Sequence, residues 1–287
     1  MRRATRLRAI APYALLLPGL LWLALFYVYP AIQMFLTSLW TGNLQDGYVQ
    51  TWNWGIYPEA LGEYWPWLAR SIVYGALATI LTFALGFPLA YAIAFRGGAY
   101  KNVLLFLVIA PFFTSFLLRT ISWKIILADN GLLLGPIKEA GLLPDDFRLL
   151  ATPAAVIAGI TYNFLPFMTL PIYVSLEKID KRLVEAAEDL FATSIGAFRR
   201  ITFPLSLPGV FAGSLLTFIP AMGDYINAEL LGNPQTTMIG NVIQNQFLTQ
   251  NNYPTASALS FLLMAGILIA VAVYARLLGT EELAGGI

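Results

Sequence analysis

The sequence predicts an all-α membrane protein with six transmembrane helices, and three observations carry that reading. Of 287 residues, 58% are hydrophobic and only 11% charged, whereas a soluble domain carries about 25% charge. Long apolar runs recur six times along the chain, and they are continuous rather than alternating, which excludes a transmembrane β-barrel. Lysine and arginine gather on alternate connections between those runs, as the positive-inside rule requires. The mean hydropathy is +0.69. About 166 apolar residues suffice for six spans of about 20 residues each. A soluble enzyme and a disordered chain are both excluded.

The side-chain inventory narrows function further. A net charge of +1 creates no field that would gather nucleic acid. Cysteine and histidine are both absent, which removes disulfides, thiolate chemistry, most zinc sites and the side chain best suited to proton transfer near neutral pH. No catalytic residue, no metal site and no cofactor bound by this chain are expected.

The first span is expected over residues 12–38. Arg2, Arg3, Arg6 and Arg8 precede it, a pattern that also fits a secretory signal, but the apolar run is too long and lacks a small-residue cleavage site. Further spans are expected at 67–95, 103–126, 151–176, 203–227 and 255–278. Prolines inside these runs include Pro18, Pro30, Pro88, Pro111, Pro166, Pro171 and Pro220; neighbouring helices can satisfy the backbone groups they free. With the N-terminus cytoplasmic, twelve of the seventeen basic residues fall inside, and both termini are cytoplasmic. The whole chain, 1–287, reads as one transmembrane domain. Trp52, Trp54, Trp65 and Trp67 read as an interfacial belt.

The cytoplasmic connection 177–202 is unusually long. Leu183, Ala187, Leu190 and Phe191 recur at helical spacing, Glu185, Glu188 and Asp189 share another face, and Asp180 can cap the start. Thr193 to Gly196 is expected to break the helix, with a second short turn over 197–201. A short amphipathic helix outside the bilayer must bury its stripe on lipid, on its own bundle or in a partner's groove. Its acidic face makes anionic lipid the weakest of these.

Glu185-Ala186-Ala187, followed by Ile201-Thr202-Phe203-Pro204, resembles the EAA loop of binding-protein-dependent ABC importer permeases. The spacing from Glu185 to Ile201 and Pro204 matches that pattern without a gap. Phe191 stands where the pattern has Gly, Phe203 stands where it has Leu, and Gly196 lies five residues past the expected glycine. The resemblance extends over nearly the whole chain and is strongest to polyamine (spermidine/putrescine) permeases, carried by 165–180, Phe218–Tyr225, Glu229–Gly232 and Met238–Phe247. It implies a MetI-like bundle in the bacterial cytoplasmic membrane, paired with a second permease subunit. It further implies two cytoplasmic ATPase subunits, which carry ATP and Mg, and an extracytoplasmic solute-binding protein. Glu185, Ala186, Ala187, Leu190, Phe191, Gly196, Ile201 and Pro204 would then form the ATPase-coupling element. The chain has no G-x-x-x-x-G-K-[ST] loop to cradle a nucleotide.

Ionisable groups at membrane depth usually face protein or water. Asp224 and Glu229, expected near the outer end of the fifth span with Tyr225 between them, suit an ammonium-bearing solute through charge pairing and cation–π contact. The alternatives are headgroup exposure or pairing with Arg119 or Lys124. Tyr162 and Asn163, ahead of Pro166, are expected either to line the pathway or to hydrogen-bond between helices. From Met238 to Gln250, Ile239, Ile243 and Phe247 suggest an amphipathic outer helix with Asn241, Gln244 and Asn245 on its wet side. Three classes of function compete: an ABC permease for polyamines or another small solute (iron, thiamine, amino-acid-like or phosphonate compound), a self-sufficient secondary transporter, and a non-transporting scaffold. A secondary transporter would carry inverted repeats or a mid-membrane carboxylate pair, and the sequence has neither.

Overall fold

In the computed structural model, residues 15–278 are described; the basic cluster at Arg2–Arg8, on which part of the expected orientation rests, lies outside them, as do residues 12–14 of the first expected span. In chain order the elements are α1 (Leu15–Ser38), the antiparallel strands β1 (Trp40–Asn43) and β2 (Gly47–Gln50), α2 (Ile56–Arg96), α3 (Gly98–Phe113) and α4 (Phe116–Ile126). They continue with α5 (Leu134–Glu139), α6 (Pro153–Glu177), α7 (Lys181–Asp189), α8 (Ser194–Met222), α9 (Ile226–Leu231), α10 (Ile239–Gln244) and α11 (Tyr253–Leu278). Helices α1, α2, α6, α8 and α11 are each long and apolar enough to cross a membrane, and α3 with α4 makes a sixth span broken by a 95° bend.

Prolines and glycines explain where these helices deviate. Pro30 lacks the N–H that would bond the carbonyl four residues earlier, and a π-turn at Ala24–Val28 lies over that gap. A second π-turn, Phe198–Thr202, precedes Pro204, so α8 runs on without a break from Ser194 to Met222. The separate turn expected over 197–201 is therefore part of the spanning helix. Helix α6 likewise runs through Pro166 and Pro171. The third span does break: Thr114 and Ser115 are extended, with ψ of 151° and 139°, and both are exposed.

The chain forms two compact units. One comprises the described residues up to Glu63 together with Ile243–Leu262. In it, Asn43 accepts from the amides of Gln45 and Asp46 at 2.9 and 2.8 Å, closing the hairpin turn. The Tyr48 hydroxyl donates to the Asn251 carbonyl. The faces of α1 from Leu15 to Tyr29 are exposed throughout.

The other unit comprises Tyr64–Val242 and the described residues from Leu263 onward. Its core clusters around Ile160, Phe164, Leu231 and Met238 at one end of α6, and around Met168, Ile172 and Leu176 at the other. Lipid tails supply no hydrophobic drive between spans, so close backbone approach at small residues carries the packing. A Cβ on Gly209 of α8 would stand 2.5 Å from both the Pro171 carbonyl oxygen and Ser175 Oγ of α6, and one on Gly213 would meet Met168 at 3.0 Å. Because the Pro171 obstacle is backbone, Gly209→Ala is expected to destabilise the bundle by about 1–3 kcal/mol. Denaturant titration in detergent checks this, and a midpoint equal to the wild type contradicts it.

Candidate functional site

Two separate features emerge: an uncovered amphipathic helix and a buried polar network. The helix is α7. Asp180 caps it by accepting from the Arg182 amide at 3.0 Å, and Glu185, Glu188 and Asp189 are all exposed. None of its residues is buried, and Leu183, Leu190, Phe191 and Ile195 stand 48%, 82%, 97% and 73% exposed. Packing on its own chain half-buries Val184 and Ala187 but leaves these four large side chains open.

The end of α7 has a specific geometry. The Phe191 amide donates to the Glu188 carbonyl and the Ala192 amide to the Ala187 carbonyl, each at 2.9 Å, which is the paired bonding of a Schellman termination. Phe191 occupies the left-handed position, with φ of +63°, where glycine pays no Cβ penalty. This is the position at which the EAA pattern has Gly, and the chain instead projects a phenyl ring into the open. Leu190 and Phe191 thus lie past the helix rather than on its stripe. Ala186 is exposed and Ala187 half-buried. Gly196 sits in the first turn of α8, its amide bonded to Thr193 Oγ1 at 3.2 Å. Ile201 lies in the π-turn, and Pro204 is interior to α8.

At the base of α7, Lys101 Nζ donates to both Glu177 carboxylate oxygens at 2.7 Å. Glu177 closes α6, where a negative charge opposes the helix dipole, and Lys101 offsets it.

The polar network joins α4, α6 and the segment following α8. Helix α8 stops at Met222, so Asp224, Tyr225 and Asn227 lie beyond the fifth span rather than inside its outer end. Gly223 follows directly, and the chain re-enters helix at Ile226. Asp224 Oδ1 accepts from the Asn227 amide at 2.8 Å and Oδ2 from Asn227 Nδ2 at 2.6 Å. Asn163 Nδ2 donates to Asn227 Oδ1 at 3.2 Å and to Thr120 Oγ1 at 3.3 Å. All four side chains are buried, with Thr120 and Asn227 fully so. A buried carboxylate is costly unless its oxygens receive hydrogen bonds, and here one asparagine supplies two.

The alternative pairing of Asp224 with Arg119 or Lys124 does not form: among the described residues the ion pairs are Lys101–Glu177 and Arg148–Asp129. Glu229 is exposed on α9 and does not join Asp224. Tyr225 is 38% exposed and its carbonyl accepts from Asn241 Nδ2 at 2.8 Å. Tyr162 packs its ring against Trp123, with centroids 5.2 Å apart and planes at 65°. Thr120 was not singled out from the sequence, and Asn227 was noted only as lying with Tyr225 between Asp224 and Glu229. Their shared signal is a small polar residue within an apolar run, which marks a contact only once the partner helix is known. In the 238–250 segment, Ile239 and Gln246 are buried while Phe247 is 49% exposed. A π-turn at Asn245–Thr249 shifts the helical phase, so the expected wet and dry faces do not hold past Gln244.

A family described as "Binding-protein-dependent transport system inner membrane component" matches residues 83–278. The spermidine/putrescine transport system permease protein PotB of Haemophilus influenzae is 40% identical over 207 residues, 72% of each chain. PotB of Escherichia coli K12 is 37% identical over 256 residues, 89% of this chain and 93% of the relative. Among solved structures, a bacterial alginate ABC transporter in complex with an alginate pentasaccharide-bound periplasmic protein aligns with TM-score 0.73 over 95% of this chain and 96% of the other, at 18% identity, a likeness of fold. The shared fold, the family match and two relatives of this similarity all concern inner-membrane permeases, and the chain belongs to the binding-protein-dependent transport system inner membrane components, the permeases of ABC importers.

Proposed function

We propose that this chain forms half of the translocation pathway for polyamines in the bacterial inner membrane. It pairs with a second permease, receives solute from an extracytoplasmic binding protein and is driven by two ATPase subunits. The observation that carries the partner reading is α7: an amphipathic helix with no buried residue, whose Leu183 stands open together with the Leu190 and Phe191 that follow it, suits an external groove. Hydrolysis, with ATP and Mg, belongs to the ATPases; this chain binds no cofactor and catalyses nothing. Glu185, Ala186, Ala187, Leu190, Phe191, Gly196, Ile201 and Pro204 form the coupling element, which places both termini in the cytoplasm.

The polyamine assignment rests on the names of the relatives and on the chemistry around Asp224. A buried carboxylate without a cationic partner among the described residues, next in sequence to the exposed Tyr225, suits an ammonium ion. Tyr162, Asn163 and Glu229 are the further pathway residues of this proposal. A second reading, a solute that carries an anionic group, is favoured by Arg119, whose charge lacks a carboxylate partner among the described residues. The test is uptake by the importer complex in liposomes loaded with ATP, offered spermidine, putrescine, thiamine, an amino acid and a phosphonate in turn. Polyamines should be accumulated at least tenfold faster than the rest. Preference for an anionic or zwitterionic solute would establish the second reading.

A further inference from the structure

Arg119 lies in the second turn of α4, just past the break at Thr114 and Ser115. Its guanidinium stands over two phenyl rings from either side of that break, 4.9 Å from the Phe112 centroid and 5.6 Å from that of Phe116. Behind them, Phe112 packs edge-on against Phe167 at 5.0 Å, and Phe116 lies tilted against Phe164 at 6.5 Å. Arg119 Nε is buried and has no acceptor, and no carboxylate among the described residues pairs with this charge. The residue precedes Thr120 of the Asp224 network and lies within electrostatic reach of Tyr162.

An intramembrane arginine ordinarily pairs with an acid or reaches the interface. This one is held chiefly by ring faces, a weak attachment compared with an ion pair. A broken span at membrane depth requires protein or water around its irregular backbone, and Thr114 and Ser115 are exposed. Phe112 is itself 36% exposed.

We propose that the Phe112–Phe116 aromatic seat is a binding site for an alkylammonium group of the solute, and that Arg119 is a resident cation which occupies the seat until the solute displaces it. The inference rests on the polyamine reading. One positive charge lies over the rings before and after the exchange, so the seat is never left empty, and the guanidinium moves aside on its flexible stem. Arg119 is then a competitor of the solute rather than a ligand for it.

The experiment is equilibrium dialysis of radiolabelled spermidine against the purified importer complex without its binding protein. Arg119→Met should tighten binding by about threefold to tenfold, the range one cation–π competitor can supply. Arg119→Lys, which restores a cation, should return binding to the wild-type level. Phe112→Leu on the Arg119→Met background should abolish the gain. Unchanged or weaker binding by Arg119→Met, or a gain that survives Phe112→Leu, would overturn the exchange. Loss of the second permease from the Arg119→Met complex, with the Arg119→Lys complex intact, would also overturn it by showing that Arg119 neutralises a partner's acid. Wild-type complex that binds another solute from the panel but no spermidine would remove the polyamine reading, and this exchange with it.

Discussion

Glu185→Lys is expected to reduce co-purification of the ATPase subunits at least tenfold while leaving membrane insertion of the chain unchanged. The argument is one of position. Glu185 is exposed on a helix with no buried residue, so substitution there removes no packing from the bundle. Whatever the change costs must appear in association. A groove complementary to this acidic face is basic, so charge reversal sets like charges against each other and costs several kcal/mol, and each 1.4 kcal/mol is about tenfold in affinity. Deletion of residues 185–190 should have the same effect. Pull-down through an affinity tag on the ATPase reads the outcome directly, and wild-type yield with Glu185→Lys would remove α7 as the coupling element.

Asp224→Asn is the second large effect. Asparagine caps a helix about as well as aspartate, so the bond to the Asn227 amide survives and α9 keeps its start. What is lost is the charge, together with the charge-assisted bond from Asn227 Nδ2, worth about 1.5–3 kcal/mol. Spermidine uptake at subsaturating concentration should fall about tenfold or more, while the yield of assembled complex stays within twofold of wild type. If uptake is unchanged, Asp224 is a structural cap alone. If assembly and uptake fall together, the network serves the fold and not the solute.

The spans were legible because hydropathy accumulates over about twenty residues, and single errors average out. Their ends were not. The fifth was expected to run to 227, yet it stops at Met222 because Gly223 and the side chain of Asp224 together offer the backbone another course. The hairpin Trp40–Gln50 was missed altogether: four-residue strands carry almost no periodicity, and only Asp46-Gly47 at its turn signals it. The break in the third span was marked by Pro111, but proline equally occupies the interior of α6 without ending it. Only the local surroundings separate the two outcomes.

The candidate sites divide in the same way. The helix α7 was readable because its residues are neighbours in sequence and its stripe follows helical spacing. Phe191 shows how far that goes: its departure from the glycine of the EAA pattern was visible, but not that the backbone there is left-handed. The network of Thr120, Asn163, Asp224 and Asn227 draws on three elements, separated by 43 and 64 residues along the chain. No periodicity reports such a meeting, which is why the readings weighed for Asp224 were solute, headgroups or a distant cation and not the asparagine three residues on.

On the proposed function, another subunit pressing on α7 powers the movement of solute through this chain. This is tested most directly by placing the same liposomes, loaded with ATP, in a spermidine gradient with and without the ATPase subunits. Saturable accumulation should occur only when the ATPases are present; equal accumulation in their absence would contradict the claim.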